Sequence, residues 1–211
     1  MTTSPGVFVA FEGGDGAGKS TQVQLLGDAL SALGLEVVLT REPGGTPAAE
    51  AMRHVVLTPD FAGLDPRAEA LLYAASRAEH VARLVQPALD RGAVVITDRY
   101  IDSSIAYQGV GRALGPDVAG EINLWATRSL LPHLTVLLDV DAGAGLARVA
   151  EPNRIEDEPE EFHATVRAAF LSLAQGDPER YLVVAASSTR EDIAAAVLAR
   201  VQPLLPARGG V

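Results

Sequence analysis

The stretch VFVAFEGGDGAGKST, residues 7–21, decides the fold. VFVAF (7–11) is a short apolar run rich in β-branched and aromatic residues, as expected of a strand buried on both faces. It leads into GGDGAGKS (13–20), which fits G-x-x-x-x-G-K-[ST] with Gly13, Gly18, Lys19 and Ser20. Glycines let backbone N–H groups wrap a phosphate without Cβ clashes, and the helix expected after the loop adds partial positive charge at its N-terminus. Lys19 is the residue expected to neutralise the β- and γ-phosphates of a nucleotide, with the Ser20 hydroxyl free to ligate Mg²⁺. The expected ATP-binding set is Gly13, Gly14, Asp15, Gly16, Ala17, Gly18, Lys19, Ser20 and Thr21. A glycine-rich turn with no ligand is the blander reading. Against it stand the strand before, the helix after, and the composition: of 17 basic residues 16 are arginine, and the one lysine is Lys19.

Outward from this motif, apolar runs alternate with helical spacing. EVVLT (36–40), AVVIT (93–97), LTVLLDV (134–140) and YLVVAA (181–186) read as further strands, and 22–34, 48–57, 66–92, 115–130, 161–175 and 190–205 as helices. Gly34 is the expected C-cap of the first helix. The segment between AVVIT and residue 115 reads as a glycine-containing loop. Five continuous apolar strands separated by helices predict an α/β fold of three layers, a five-stranded parallel sheet with helices on both faces. At roughly 150 residues per domain, 211 residues make one domain over 1–211, with a small lid segment near 145–156 and a frayed tail at 206–211.

Composition narrows the function. There is no cysteine, so disulfides, thiol nucleophiles and thiolate metal sites are excluded. The formal net charge of −10 argues against a non-specific nucleic-acid or anionic-membrane binder, which needs a basic face. No apolar run approaches the roughly 20 residues of a membrane span, and MTTSP (1–5) lacks a basic n-region, which makes the cytoplasm the default compartment. A regulatory GTPase would need Asn-Lys-x-Asp to read its base, and no second lysine exists to supply it. A P-loop motor would need more chain and an Asp-Glu after a strand. Here AVVIT ends in Asp98-Arg99-Tyr100. Asp98 at the carboxyl end of a strand can hold Mg²⁺ directly or through water, and Arg99 suggests a second phosphate.

FEGGDGAGKST (11–21), TREPGGT (40–46), AEALLYAASRAEHV (68–81), TDRYIDSSIAYQGVGR (97–112), LLDV (137–140) and NRIE (153–156), in this order and spacing, resemble the thymidylate (dTMP) kinase family over nearly the whole chain. The resemblance implies transfer of a phosphoryl group from ATP to dTMP, giving dTDP for dTTP biosynthesis, with Mg²⁺ and in a homodimer, for which helices 48–57, 66–92 and 115–130 can supply the apolar face. It places Asp15 near the nucleotide sugar and the transferred phosphate. Arg53, Arg77 and Arg99 would lie at the monophosphate, Tyr73 against thymine, and Ser104 and Gln108 on the base edge. Glu42-Pro43 matches a dipeptide whose peptide bond is often cis. With Gly at position 16, the catalytic arginines are expected in the lid. Arg148 is the expected transition-state contact there, and Arg154 the mobile partner of ATP. The alternatives are another P-loop small-molecule kinase and a nucleotide-binding module without turnover.

His54, His80, His133 and His163 show no ligand spacing and read as packing or surface residues. Trp125 reads as core, Asp139 and Asp141 as structural caps, and the acidic run 156–161 as a solvated helix start.

Overall fold

The computed structural model describes residues 6–148 and 153–205. Five parallel strands form one sheet: β1 (Val7–Glu12), β2 (Val37–Arg41), β3 (Val94–Asp98), β4 (Leu134–Asp139) and β5 (Tyr181–Ala185), in the order β2-β3-β1-β4-β5. β1 is central, pairing Phe11 with Asp98 of β3 and with Val136 of β4. The α/β class and the five parallel strands expected from the sequence are therefore present. The chain runs to β3 on one side of β1 and to β4 on the other, so a crevice opens at the carboxyl ends of these strands. The glycine loop after β1 and Asp98 at the end of β3 both lie there.

Strand alternation sorts the core into two layers. Val7, Val9 and Phe11 face α1 (Lys19–Ala32) and α9 (Arg190–Val201), with Leu26, Leu30, Ile193 and Val197 filling the space between. Phe8 and Ala10 face the opposite side, where Val81, Val85 and Tyr100 pack on them. Glycine ends α1 as expected: Gly34 stands in the left-handed region at φ 75°, donating to the Ser31 carbonyl.

The other helices cover the sheet, and some of them line the crevice. These other helices are α2 (Pro47–Leu57), α3 (Pro66–His80), α4 (Gln86–Asp90), α5 (Ile101–Ser104), α6 (Pro116–Ala126), α7 (Ala142–Leu146) and α8 (Glu160–Gly176). Residues 66–90 run helically as expected, but a wide π-turn over Val81–Val85 separates α3 from α4. Pro87 follows at once; lacking an N–H, its ring would press on the carbonyl four residues back in a regular helix, and the wider turn makes room. The segment expected to be a loop after β3 is also helical, α5 continuing into a second π-turn, Ile105–Gly111. Its start is nucleated by tertiary bonds, since the buried Glu12 carboxylate accepts from the Tyr100 and Ser103 backbone N–H groups at 2.8 and 3.1 Å. Trp125, expected in the core, is 84 % exposed on α6. Val118 stands seven residues earlier, on the same side of that helix, and is exposed too. The tail at 206–211 and residues 149–152 of the expected lid lie outside the described residues. Asp141 caps α7, accepting from the Ala144 N–H, while Asp139 pairs with Arg167 instead of capping. Glu160 and Glu161 open α8, as a solvated helix start should.

Candidate active site

Two cavities meet in the crevice. The first, of about 110 Å³, is walled by Leu57, Tyr73, Arg77, Ser104, Tyr107, Gln108 and Ile155 among others. The second, of about 410 Å³, follows the glycine loop from Asp15 to Thr21 and includes Asp98 and Arg148. Asp15, Glu42, Arg53, Arg99 and Glu156 belong to both. A flat, partly apolar group in the first cavity and a polyphosphate in the second would face one another across these charged residues.

The loop is built for close approach. Gly16 has φ 70°, and a Cβ there would sit 2.1 Å from the Gly145 carbonyl oxygen. A Cβ on Gly145 would in turn meet the Asp15 carbonyl oxygen at 2.4 Å. Two glycines thus let α7 rest on the loop, which brings the exposed Arg148 onto the Gly16 carbonyl at 3.2 Å. Lys19 is buried: its ammonium donates to the Gly13 and Gly14 carbonyls at 3.0 and 2.8 Å. Burial lowers its pKa, as does Arg99, against the pull of Asp98 and Asp15.

The Ser20 hydroxyl donates to the Asp98 carboxylate at 2.6 Å across 78 residues of chain. A hydroxyl and a carboxylate oxygen together at a phosphate cavity suit Mg²⁺, which takes one or two protein oxygens and completes its shell with water and phosphate.

Arg99 stands at the junction of the cavities. Its backbone has φ 71°, an unusual conformation for a side chain with a Cβ, held by an N–H bond to the Phe11 carbonyl at 2.8 Å. Its guanidinium bonds Asp15, the Gly13 carbonyl and Ser103. Asp15 also accepts from the Tyr107 hydroxyl at 2.8 Å, and His163 lies 4.0 Å away. Burial alone would raise the Asp15 pKa, but Arg99 and Lys19 outweigh it and hold the carboxyl below the usual range. Arg53 lines both cavities and donates to the Pro43 carbonyl at 2.8 Å. The Glu42-Pro43 bond is cis.

Arg77 departs from the expectation of a monophosphate contact. It lines the first cavity only, and its guanidinium is spent on Glu42 at 2.5 Å, Ser104 at 2.9 Å, Asn123 and the Tyr100 carbonyl at 2.9 Å. Its charge is already matched by Glu42, so it forms the floor beneath Ser104. Burial would raise the Glu42 pKa, but Arg77 and His80 hold it down. Tyr73, one turn before Arg77 on α3, is half-buried on the cavity wall, with Ser104 and Gln108 on the same wall.

Arg154 is the second correction. It is neither mobile nor at the phosphate cavity: it is 8 % exposed, donates twice to the Val56 carbonyl at 3.0 and 2.8 Å, and pairs with Glu69 at 2.7 Å. The proline, asparagine and glutamate around it read as loop, and sequence alone could not supply its buried partner 85 residues away. Glu42, Tyr107, Glu69 and Asn123 were likewise missed as site residues. Glu42, Glu69 and Tyr107 lie inside the motifs given above, and their partners are visible only in three dimensions. His163 is buried beside Asp15 with Nε2 unpartnered, which agrees with its reading as a packing residue. His80 joins Glu42 at 2.8 Å beneath the first cavity.

A family model described as thymidylate kinase matches residues 11–197. The chain is 54 % identical to a thymidylate kinase of Clavibacter michiganensis subsp. michiganensis, covering 96 % of this chain and 97 % of that one. It is 50 % identical to the thymidylate kinase of Cutibacterium acnes, covering 95 % and 98 %. The crystal structure of thymidylate kinase from Ehrlichia chaffeensis superposes with a TM-score of 0.80 at 33 % identity, over 94 % of this chain and all of that one. With the glycine loop, the paired cavities and the Asp98-Arg99 turn in place, this chain belongs to the thymidylate kinase family.

Proposed function

We propose that this enzyme transfers the γ-phosphoryl group of ATP to the 5′-phosphate of dTMP, forming ADP and dTDP. The observation that carries the reading is the pair of cavities sharing Asp15, Arg53 and Arg99. A nucleotide switch has no use for a second nucleotide pocket. The relatives give no support to another small-molecule kinase or to a module without turnover.

The polyphosphate of ATP lies along Gly13 to Thr21, with Lys19 beside the transferred group. Ser20 and Asp98 would hold Mg²⁺, which supplies charge neutralisation across the β- and γ-phosphates. dTMP enters the smaller cavity with thymine against Tyr73 and above Arg77, Ser104 and Gln108. Arg53 and Arg99 anchor its phosphate. Arg99 must turn from Asp15 toward the acceptor, and Asp15 is then free for the sugar. Transfer is in line with a loose transition state, so the residues supply alignment and positive charge, with little proton transfer. Arg148 reaches the moving phosphoryl group from the ATP side.

The described residues act as one domain, and of the lid expected at 145–156 Arg148 faces the phosphate cavity while Arg154 is a fixed anchor, so closure over the phosphates would fall to the Arg148 end. Exposed Leu71 of α3 and Val118 and Trp125 of α6 form an apolar face on which two copies pair in the cytoplasm. Among the described residues no helix is long and apolar enough to cross a membrane.

The test is a coupled ADP-release assay with dTMP, dCMP, dUMP and AMP as acceptors. Release should depend on dTMP, with dUMP only modestly poorer, since one methyl group is worth about 1–3 kcal/mol. Turnover of dCMP or AMP equal to dTMP would overturn the substrate assignment. Light scattering on Trp125→Asp tests the pairing: the variant should be monomeric, and an unchanged mass would refute this face.

A further inference from the structure

Beneath the wall of the smaller cavity lies a carboxylate that is not among the residues lining it. Glu69 is fully buried on α3, one turn before Tyr73 and two before Arg77. Its Oε1 accepts from Gln108 Nε2 at 2.9 Å and from Arg112 at 3.3 Å. Its Oε2 accepts from Arg154 at 2.7 Å and from Arg112 at 3.4 Å. Arg112 goes on to Glu158 at 2.6 Å, so Glu69 gathers α3, the π-turn 105–111 and the segment 153–158 at one point.

This arrangement decides which way an amide points. Gln108 has a donor end and an acceptor end that are almost the same shape. With two guanidinium groups already on it, the Glu69 carboxylate only accepts. A Gln108 turned the other way would press its carbonyl oxygen against that carboxylate. Nε2 is therefore held inward, and Oε1 is the end left at the cavity wall that Gln108 lines.

A fixed acceptor at that wall has a consequence for the ring placed there. Thymine and uracil carry an N–H between two carbonyls on their pairing edge. Cytosine carries a bare ring nitrogen at the same position, an acceptor facing an acceptor. We propose that Glu69 is a positioning residue for base choice: by fixing the Gln108 amide with its oxygen toward the cavity, it selects pyrimidines bearing a ring N–H and rejects cytosine. This rests on the assignment of the smaller cavity to dTMP.

The experiment measures kcat/KM for dTMP and for dCMP in the wild type and in Glu69→Gln. A glutamine at 69 donates as well as accepts, so the Gln108 amide is free to turn over. The dTMP-to-dCMP ratio should fall by about tenfold or more. A Glu69 that merely holds the fold would lower both values together and leave the ratio unchanged, which would overturn the proposal. Wild-type protein without dTMP turnover would instead overturn the underlying reading, so the two failures are distinct. The exchange variant Glu69→Gln/Gln108→Glu again places an acceptor at the wall, held by a donor from position 69. Its ratio should recover toward the wild-type value, and no recovery counts against the mechanism. Should Glu69→Gln fail to fold, the wild type answers by NMR. A Gln108 Nε2 proton held on Glu69 exchanges slowly with solvent, with and without dTMP, and rapid exchange in both states overturns the proposal.

Discussion

Glu42→Ala probes the buried charge pair that floors the smaller cavity. The Glu42 carboxylate meets the Arg77 guanidinium at 2.5 Å and the His80 ring at 2.8 Å, and none of the three side chains is more than 2 % exposed. The variant leaves Arg77 positive with only neutral acceptors, Ser104, Asn123 and the Tyr100 carbonyl. Deleting one partner of a buried pair costs about 3–5 kcal/mol, chiefly for the charge left behind. A domain of this size shifts by roughly 2–4 °C per kcal/mol, so Tm should drop by about 6–20 °C. Glu42→Gln keeps the volume and an acceptor and should lose less. The pH dependence has a definite sign. The folded-state pKa of Glu42 is below its ordinary 4.5. The contribution of the pair is therefore complete above about pH 4.5 and fades as the pH falls through the lowered value. The gap in Tm between wild type and variant should shrink on acidification. Thermal and urea denaturation followed by circular dichroism measure both quantities. A loss under about 1 kcal/mol at neutral pH, or a gap that widens in acid, would refute this account of the cavity floor.

Arg148→Ala should slow single-turnover transfer by about 10³-fold or more with little change in dTMP affinity, as for a charge that meets the moving phosphoryl group; a drop under tenfold would move that role elsewhere. Arg154→Ala should instead destabilise the protein and weaken dTMP, since Arg154 serves Glu69 and the Val56 carbonyl; unchanged Tm with lost ATP binding would reverse that placement. Tyr73→Ala should weaken dTMP by about 1–3 kcal/mol and leave ATP alone, the loss expected of a base stack, and calorimetry of each ligand checks it. Burial, with Asp102 beside it, raises the Glu12 carboxyl from 4.5 to about 7. Glu12 therefore favours the folded state at low pH, and its contribution falls as the pH climbs from about 4.5 to 7. Glu12→Gln should gain stability relative to wild type across that window, read as Tm against pH, and a relative loss would contradict the raised value.

The parts of this protein that repeat along the chain were readable in it. VFVAF and AVVIT are buried strands because nothing polar interrupts them, and the strand–glycine loop–helix order announces the phosphate cradle before any coordinate. What failed was partner choice. Arg154 sits among loop-forming residues, and only Glu69 and the Val56 carbonyl, far away in sequence, turn it into a buried anchor. The resemblance implied a phosphate contact for Arg77, one turn after Tyr73 on the same helix face, but in the structure its guanidinium is held by Glu42, 35 residues away. Residues 101–111 hold small residues and glycines that weaken any helical signal. Bonds from Glu12 start the helix there, supplied by a strand about 90 residues earlier. Trp125 has apolar neighbours in sequence and an exposed face in space, since helical spacing reveals which residues share a side, not what covers it.

The glycine loop and the smaller cavity act together in one transfer to dTMP. Single-turnover mixing of enzyme with γ-labelled ATP, Mg²⁺ and dTMP follows the label directly. With the wild type the label should appear in dTDP. With Lys19→Met, which keeps the stem but removes the ammonium clasping the Gly13 and Gly14 carbonyls, transfer should cease in a protein that remains folded. Label found only in inorganic phosphate with the wild type, or dTDP formed at an undiminished rate by Lys19→Met, would contradict this joint action.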